Sequence, residues 1–330
     1  MIMKRRNFLK TLGGIAVMSQ IPVSVKAEKR EDCNTKGITL NEVTHITIPV
    51  GATEPFSALH ISDTHITRVN EKDGQRKKDV SEWRRNSFPM AEEYFDAALK
   101  HAREKKMVLL HTGDLIDFVS EGNLEYVKQK LEGVDCFFAV GNHEYSQYVG
   151  EAKEDEAYKA QSYERVQAAY PNNLKFASRI INGVNFVALD DVYYNVTKEH
   201  LDLMKEEVKK GLPIVIMCHV PFYTSHFYEI EMHKTGGACA YVTGAPHKLT
   251  ESYPGNPDLP ADEQWRNRGV QQRADKDTLE FVKWLKKQSL VKAILCGHNH
   301  DFYQGPFSET AMQHMAGATY AGKATEILFI

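Results

Sequence analysis

Five apolar runs in this chain end in side chains that carry lone pairs. SALHIS is followed by Asp63 and His65, MVLLHT by Gly113 and Asp114, and CFFAV by Gly141, Asn142, His143 and Glu144. PIVIMC is followed by His219, and KAILC by Gly297, His298, Asn299 and His300. Hard carboxylates with neutral imidazoles and one amide suit Zn, Mn or Fe better than Ca, and no thiolate cluster with zinc-finger spacing competes. The seven groups Asp63, His65, Asp114, Asn142, His219, His298 and His300 exceed what one ion needs, so two ions are expected. Each motif alone is weak, because D-x-H, GD and GNH arise by chance and a lone His219 could be a satisfied core group. Their succession along one chain carries the inference.

For these groups to meet, the runs must be strands whose carboxyl ends share one crevice, as in α/β sheets. Helix-like segments lie between the runs, as a βαβ pattern requires. In residues 89–105, Ala91, Tyr94, Phe95, Ala98, Leu99 and Ala102 recur at helical spacing, which core packing explains. Gly113, Gly141 and Gly297 each precede a candidate ligand, where a turn after a strand needs positive φ or close backbone approach. His60 and His111 fall inside the runs and are expected to be satisfied core groups. KFASRIINGVNFVAL predicts a hairpin about Asn182-Gly183, and TEILFI at the end predicts another buried strand.

Residues 224–273 are the least regular stretch, rich in Gly, Pro and polar groups, and a segment of this length is usually functional or disordered. One reading makes it a lid over the metals, with Tyr223, His226, His233, Trp265, Arg266 and Arg268 as candidates for substrate contact; the other makes it a solvated insertion. The basic segment ITRVNEKDGQRKKDVSEWRRNSF after His65 could form an opposite rim for an anion, although charge runs are usually solvated faces.

The first 27 residues differ from the rest: a basic start, a short apolar middle broken by Gly13, Gly14, Ser19, Gln20 and Pro22, and small residues Val25 and Ala27 before a possible cut. In KRRNFLK, Arg5 and Arg6 stand as in the twin-arginine signal that carries folded proteins across a bacterial membrane. A general secretory signal is the alternative, and the weak apolar middle favours the first. Either route implies an exported, periplasmic or extracellular bacterial protein with no stable membrane anchor after signal removal. The division expected is a signal at 1–27, a linker at 28–43 and one domain at 44–330 with the lid-like insertion.

The 330 residues are 42% hydrophobic and 26% charged, an ordinary globular composition. Loss of residues 1–27 removes Lys4, Arg5, Arg6, Lys10 and Lys26 and no acid, moving the formal charge from −3 to −8. An acidic surface without an arginine-aromatic stripe argues against nucleic acid as partner and for a small substrate. The five cysteines are unpatterned, so at most one bridge is expected. Cys218 and Cys296 end apolar runs and look structural, and nothing resembles an activated serine or cysteine nucleophile.

The series D-x-H, GD, GNH(E), H, GHxH from Asp63 to His300 resembles the calcineurin-like metallophosphoesterase superfamily. The resemblance implies a four-layer α/β/β/α sandwich of two packed mixed sheets with a dinuclear site at the strand ends. It implies that Asp63, His65 and His300 hold one metal, that Asn142, His219 and His298 hold the other, and that Asp114 bridges them. His143 would remain unligated, facing substrate as acid or transition-state stabiliser, with Glu144 orienting its ring or capping the next segment.

Purple members carry tyrosine three residues after the bridging aspartate; this chain has Asp117 there, so no ferric-tyrosinate band is expected. Asp117 itself reads more readily as a solvated turn residue. The function implied is an exported dinuclear-metal-dependent phosphoester hydrolase, a phosphomonoesterase or phosphodiesterase, in which metal-bound hydroxide attacks phosphorus in line. The alternative is a non-catalytic metal or phospho-ligand binding protein on the same fold.

Overall fold

Alternation along the strands decides how this chain is layered, because successive side chains point to opposite faces of a sheet. The computed structural model describes residues 38–146, 155–260 and 266–330. The export-signal reading at 1–27, Cys33 and Trp265 lie outside the described residues. The first sheet is built from β1 (Glu42–Ile48), β2 (Phe56–Ile61), β3 (Val108–His111), β4 (Cys136–Phe138) and β11 (Lys323–Phe329), in the order β1-β11-β2-β3-β4. The second contains β5 (Phe176–Ile181), β6 (Val184–Leu189), β7 (Ile214–Met217), β8 (Val291–Cys296), β9 (Tyr303–Pro306) and β10 (Met312–Met315), in the order β5-β6-β7-β8-β10-β9. Both sheets are mixed. In the first, β2, β3 and β4 run parallel while β11 opposes β2; in the second, β6, β7, β8 and β10 run parallel between antiparallel edges.

Among the described residues the helices are α1 (Gln75–Arg85), α2 (Ala91–Glu104), α3 (Glu121–Leu131), α4 (Glu156–Gln167), α5 (Lys198–Lys209), α6 (Ser225–Lys234), α7 (His247–Thr250), α8 (Arg268–Gln271) and α9 (Lys276–Leu285). None is long and apolar enough to cross a membrane. On the outer face of the first sheet, Leu59, Leu109 and Phe138 pack with Phe95 and Leu99 of α2, Val127 of α3 and Val166 of α4. On the outer face of the second, Ile214, Ile216 and Ile294 pack with Met204 of α5, Phe227 of α6 and Phe281 of α9. The alternate residues Ala58, Leu110, Phe137, Val215, Met217 and Leu295 point the other way and meet between the sheets with Phe186 and Phe329. Helix, sheet, sheet and helix follow in that order, the four-layer sandwich expected.

All five ligand-bearing runs are strands. Asn182 and Gly183 turn the hairpin between β5 and β6 with φ of 45° and 79°, as a two-residue turn of the primed type demands. Two expectations need correction. The final strand is only half buried: Leu328 is 40% exposed, because β11 joins β1 and β2 with one face outward at that end. The described part of 224–273 is as irregular as expected, with one longer helix, α6, and two single turns, α7 and α8, but it is no solvated insertion, because Phe227, Tyr228, Cys239, Val242 and Tyr253 enter the outer core of the second sheet. The described cysteines, Cys136, Cys218, Cys239 and Cys296, are buried and unpaired.

Phe186 is fully buried between the sheets, edge-on to Phe329 with ring centroids 5.2 Å apart. Phe186→Ala should cost about 3–5 kcal/mol in urea unfolding, and a loss under about 1 kcal/mol would show that the sheets do not pack through this cluster.

Candidate metal centre

Because β2, β3 and β4 belong to one sheet and β7 and β8 to the other, their carboxyl ends deliver side chains to the seam between the sheets. Three groups of ligand atoms gather there, each within 4.8 Å: Asp63, His65 and His300; His65, Asp114 and His143; Asp114, His219 and His298. All but His143, His298 and His300 are buried, and those three are half-buried.

Hydrogen bonds identify which atoms are available to a cation. His219 Nδ1 lies 2.7 Å from the Thr112 carbonyl and must donate to it, leaving a lone pair on Nε2. That lone pair faces Asp114 Oδ2 at 3.2 Å and His298 Nδ1 at 3.1 Å. His65 Nδ1 donates to Asp117 Oδ1 at 3.0 Å, so its Nε2 lone pair faces His300 Nε2 at 3.3 Å. Asn142 Oδ1 is buried without a donor. Opposed lone pairs in a dry place repel unless a cation lies among them. The donor set, imidazole nitrogen with carboxylate and amide oxygen, matches borderline transition metals such as Zn, Mn and Fe. The residues therefore fit the metal centre expected of them.

Backbone strain accompanies this convergence. Asp63, His65, Asp114, His298 and His300 have φ of 53°, 55°, 57°, 73° and 64°, left-handed values that cost non-glycine residues energy. Of the adjacent glycines only Gly113 turns with positive φ, 95°. Gly141 and Gly297 are required by space, since a Cβ would collide with Asp114 Oδ1 at the first and with Ser62 Oγ at the second.

Buried carboxylates hold the strained loops. Glu144 accepts from the backbone N–H of Asp114 (2.8 Å), Leu115 (2.7 Å), Ile116 (3.2 Å) and Gly141 (2.8 Å), and from the Tyr170 hydroxyl (3.0 Å). It neither orients the His143 ring nor caps the next segment; its oxygens are taken by the Asp114 turn, the Gly141 N–H and the Tyr170 hydroxyl. Asp191, at the end of β6, accepts from the N–H of His219 (3.0 Å) and Val220 (3.2 Å) and from the Thr243 hydroxyl (3.3 Å).

Asp117 also departs from expectation. It is fully buried rather than a solvated turn residue, because Arg84 of α1 grips both its oxygens at 2.6 and 2.7 Å. Its Oδ1 orients His65, and its carbonyl accepts from His143 Nδ1 at 2.7 Å. His143 Nε2 is thereby aimed toward Asp114 Oδ2, 4.0 Å away. The basic segment after His65 thus sends one arginine into the site. His60 and His111 are satisfied core groups: His60 meets the Thr112 hydroxyl, and His111 meets the Thr64 hydroxyl and the Gly113 N–H.

Of the candidates for substrate contact, Arg268 lies 5.3 Å over the Tyr241 ring, which is itself 5.7 Å from the His298 ring. Tyr223 packs against Tyr228 under Lys286, and His226 against Tyr303, away from the gathered ligands. Arg266 lies just ahead of α8, and His233 is exposed near the end of α6. Arg84, Asp191, Tyr194 and Tyr241 were not anticipated. Asp191 had a signal, since VNFVAL is a further apolar run ending in carboxylates.

The fold and site define an α/β phosphoesterase-type sandwich with clusters able to bind metal ions. The family model for calcineurin-like phosphoesterases matches residues 56–302, most of the chain, and the protein belongs to that family. Among solved structures it is similar to a dimetal phosphatase from Danio rerio, with 15% identity and TM-score 0.43 over 83% of this chain and 89% of that one. It is also similar to a 5'-nucleotidase from Candida albicans, with 15% identity and TM-score 0.35 over 86% of this chain but 47% of that one. A phosphopantetheinyl hydrolase from Mycobacterium tuberculosis shares 11% identity and TM-score 0.34, over 80% of this chain and 90% of that one. No curated protein matches the chain.

Burial sets the charge of the histidines, opposed in two cases by carboxylates. Burial lowers His60, His111 and His298 to about 3 and His65 to about 4. Burial opposes protonation of His143 and His219 too, but Asp114 and its neighbours raise them to about 9 and 10. From about pH 4 to 6.5 the unfolded chain of the metal-free protein binds protons that the first four histidines refuse when folded, so stability should rise with pH. Above about 6.5 the folded state keeps protons on His143 and His219 that the unfolded chain has lost, so stability should fall as pH passes through their folded values. Urea midpoints of chelator-treated protein should therefore peak near neutrality; a midpoint still climbing at about pH 9 would contradict these two charges.

Proposed function

We propose that this protein is an exported phosphoester hydrolase that works with two metal ions. Asp63, His65 and His300 would hold one, Asn142, His219 and His298 the other, and Asp114 would contribute to both. The observation that carries this reading is the set of adjoining clusters, Asp63, His65 and His300 and then Asp114, His219 and His298, whose ligand atoms lie within 4.8 Å of one another in each. When bound, such ions supply Lewis-acid charge stabilisation at phosphorus and activate a water.

The chain's own groups supply orientation and a proton. The Asp117 carbonyl fixes the tautomer and direction of His143, whose backbone N–H donates to Asp114 Oδ1 at 2.9 Å. With Nδ1 held by the Asp117 carbonyl, His143 aims Nε2 at Asp114 Oδ2, 4.0 Å away, and from there it can hand a proton to a leaving oxygen. A binding protein without turnover needs no such half-buried, oriented acid, which favours the enzyme reading. Arg268, over Tyr241 at the edge of the site, is placed to meet the remainder of an anionic substrate.

Manganese-supplemented protein should hydrolyse p-nitrophenyl phosphate or bis-p-nitrophenyl phosphate, with chelation or Asp114→Ala abolishing turnover. Preference between the two assigns monoesterase or diesterase, and no turnover of either with two ions bound would remove the hydrolase reading. His143→Ala should lower kcat about 10²–10⁴-fold with metal content unchanged, and unaltered turnover would take His143 out of the mechanism.

Export rests on the KRRNFLK start and the short apolar stretch after it. Changing Arg5 and Arg6 together to lysine should leave uncleaved precursor in the cytoplasm of a bacterial host; normal periplasmic recovery would favour the general secretory route.

A further inference from the structure

His298 and His300 differ from the other clustered histidines in what holds them: each is held by a tyrosine hydroxyl. Tyr194 Oη lies 3.0 Å from His298 Nε2, and Tyr320 Oη lies 3.2 Å from His300 Nδ1. His298 turns Nδ1 toward His219, and His300 turns Nε2 toward His65, so each presents its opposite nitrogen to the gathered lone pairs. A nitrogen that presents a lone pair to a cation leaves the ring proton on the other, and that N–H must donate. The tyrosine oxygens are the acceptors in both rings.

We infer that Tyr194 and Tyr320 are positioning residues that tune the two ions separately, Tyr194 through His298 and Tyr320 through His300. This rests on the dinuclear reading above. Neither tyrosine belongs to the motif series that ends the ligand-bearing strands.

The backbone around each tyrosine is committed to its own cluster. Tyr194 is buried with φ of 66°, and Tyr193 before it has φ of 61°. Two consecutive tyrosines in left-handed conformation persist only where surrounding contacts over-determine them. The Tyr194 N–H donates to the Asp191 carbonyl at 3.1 Å, and the Asp191 carboxylate holds the N–H groups of His219 and Val220. One loop after β6 therefore grips both histidines of the second cluster. Lys159 of α4 anchors that loop through Asp190 Oδ2 at 3.0 Å.

Tyr320 belongs to the first cluster in the same way. Its N–H donates to the Asp63 carbonyl at 3.2 Å, and its ring lies 4.7 Å from Phe88, which stacks on His65 at 4.5 Å. The two clusters meet at Asp63, whose carboxylate accepts from the His298 N–H at 3.0 Å, but the two tyrosine hydroxyls reach different histidines, so removing each hydroxyl acts on one histidine.

Stepwise Mn²⁺ binding to the mature protein, by titration calorimetry with metal counting after dialysis, tests this. Tyr194→Phe keeps the ring and removes only the acceptor, so it should weaken one binding step about 10–100-fold and leave the other alone. Tyr320→Phe should weaken the other step by a similar factor. On an Asn142→Ala background, where the second site is already lost, Tyr194→Phe should add little while Tyr320→Phe keeps its full effect. Melting temperatures of the metal-free variants show that each is folded.

Both steps unchanged in either variant, or both falling together in each, would overturn the inference. Wild-type protein that binds fewer than two ions would overturn the dinuclear reading and the inference with it, and it is recognised without any variant.

Discussion

Lone pairs forced against one another at the seam of two sheets are the constraint on which this structure turns. His219 Nε2 meets Asp114 Oδ2 and His65 Nε2 meets His300 Nε2 at this largely buried seam, and Asn142 Oδ1 is buried without a donor. Such a cluster is stable only with positive charge among its members. In metal-free protein that charge is protons on His143 and His219. The site is unfavourable as a piece of protein and favourable as a receptor.

The scaffold restrains that repulsion with carboxylates that are not ligands. Glu144 gathers four backbone N–H groups around the Asp114 turn, Asp191 gathers two around His219, and Asp117 is gripped by Arg84 while it aims His65 and His143. Buried hydrogen-bonded carboxylates of this kind make strained turns affordable. The five left-handed ligand residues could not persist in loops that lacked such anchors.

The layering places these anchors. Three ligand strands lie in one sheet and two in the other, so the site exists only if the sheets stack in register through Phe186, Phe329, Leu110 and Met217. α4 packs on the first sheet, yet its Lys159 pairs with Asp190 at the end of β6 in the second. The two sheets are thereby tied together by an ion pair as well as by their shared core.

Local sequence determined the strands, the ligand types and their succession, because an apolar run stopped by a metal-capable residue records both a buried strand and its end. It also determined the Asn182-Gly183 hairpin, since that turn needs positive φ at both positions. The partners of Asp117, Glu144, Arg84 and Tyr194 were beyond local reading, and Asp191 was legible only as a carboxylate ending an apolar run. A carboxylate three residues after Asp114 is the same string whether water or Arg84 receives it, and the arginine comes from a helix that looks like a solvated charge run. The turns of 224–273 were legible, but Gly and Pro mark turns without saying whether Phe227, Val242 and Tyr253 between them find a core. Ligand identity is a property of residue type and is written along the chain. The orientation, tautomer and charge of each ligand depend on a partner far away in sequence, and only the tertiary structure decided them.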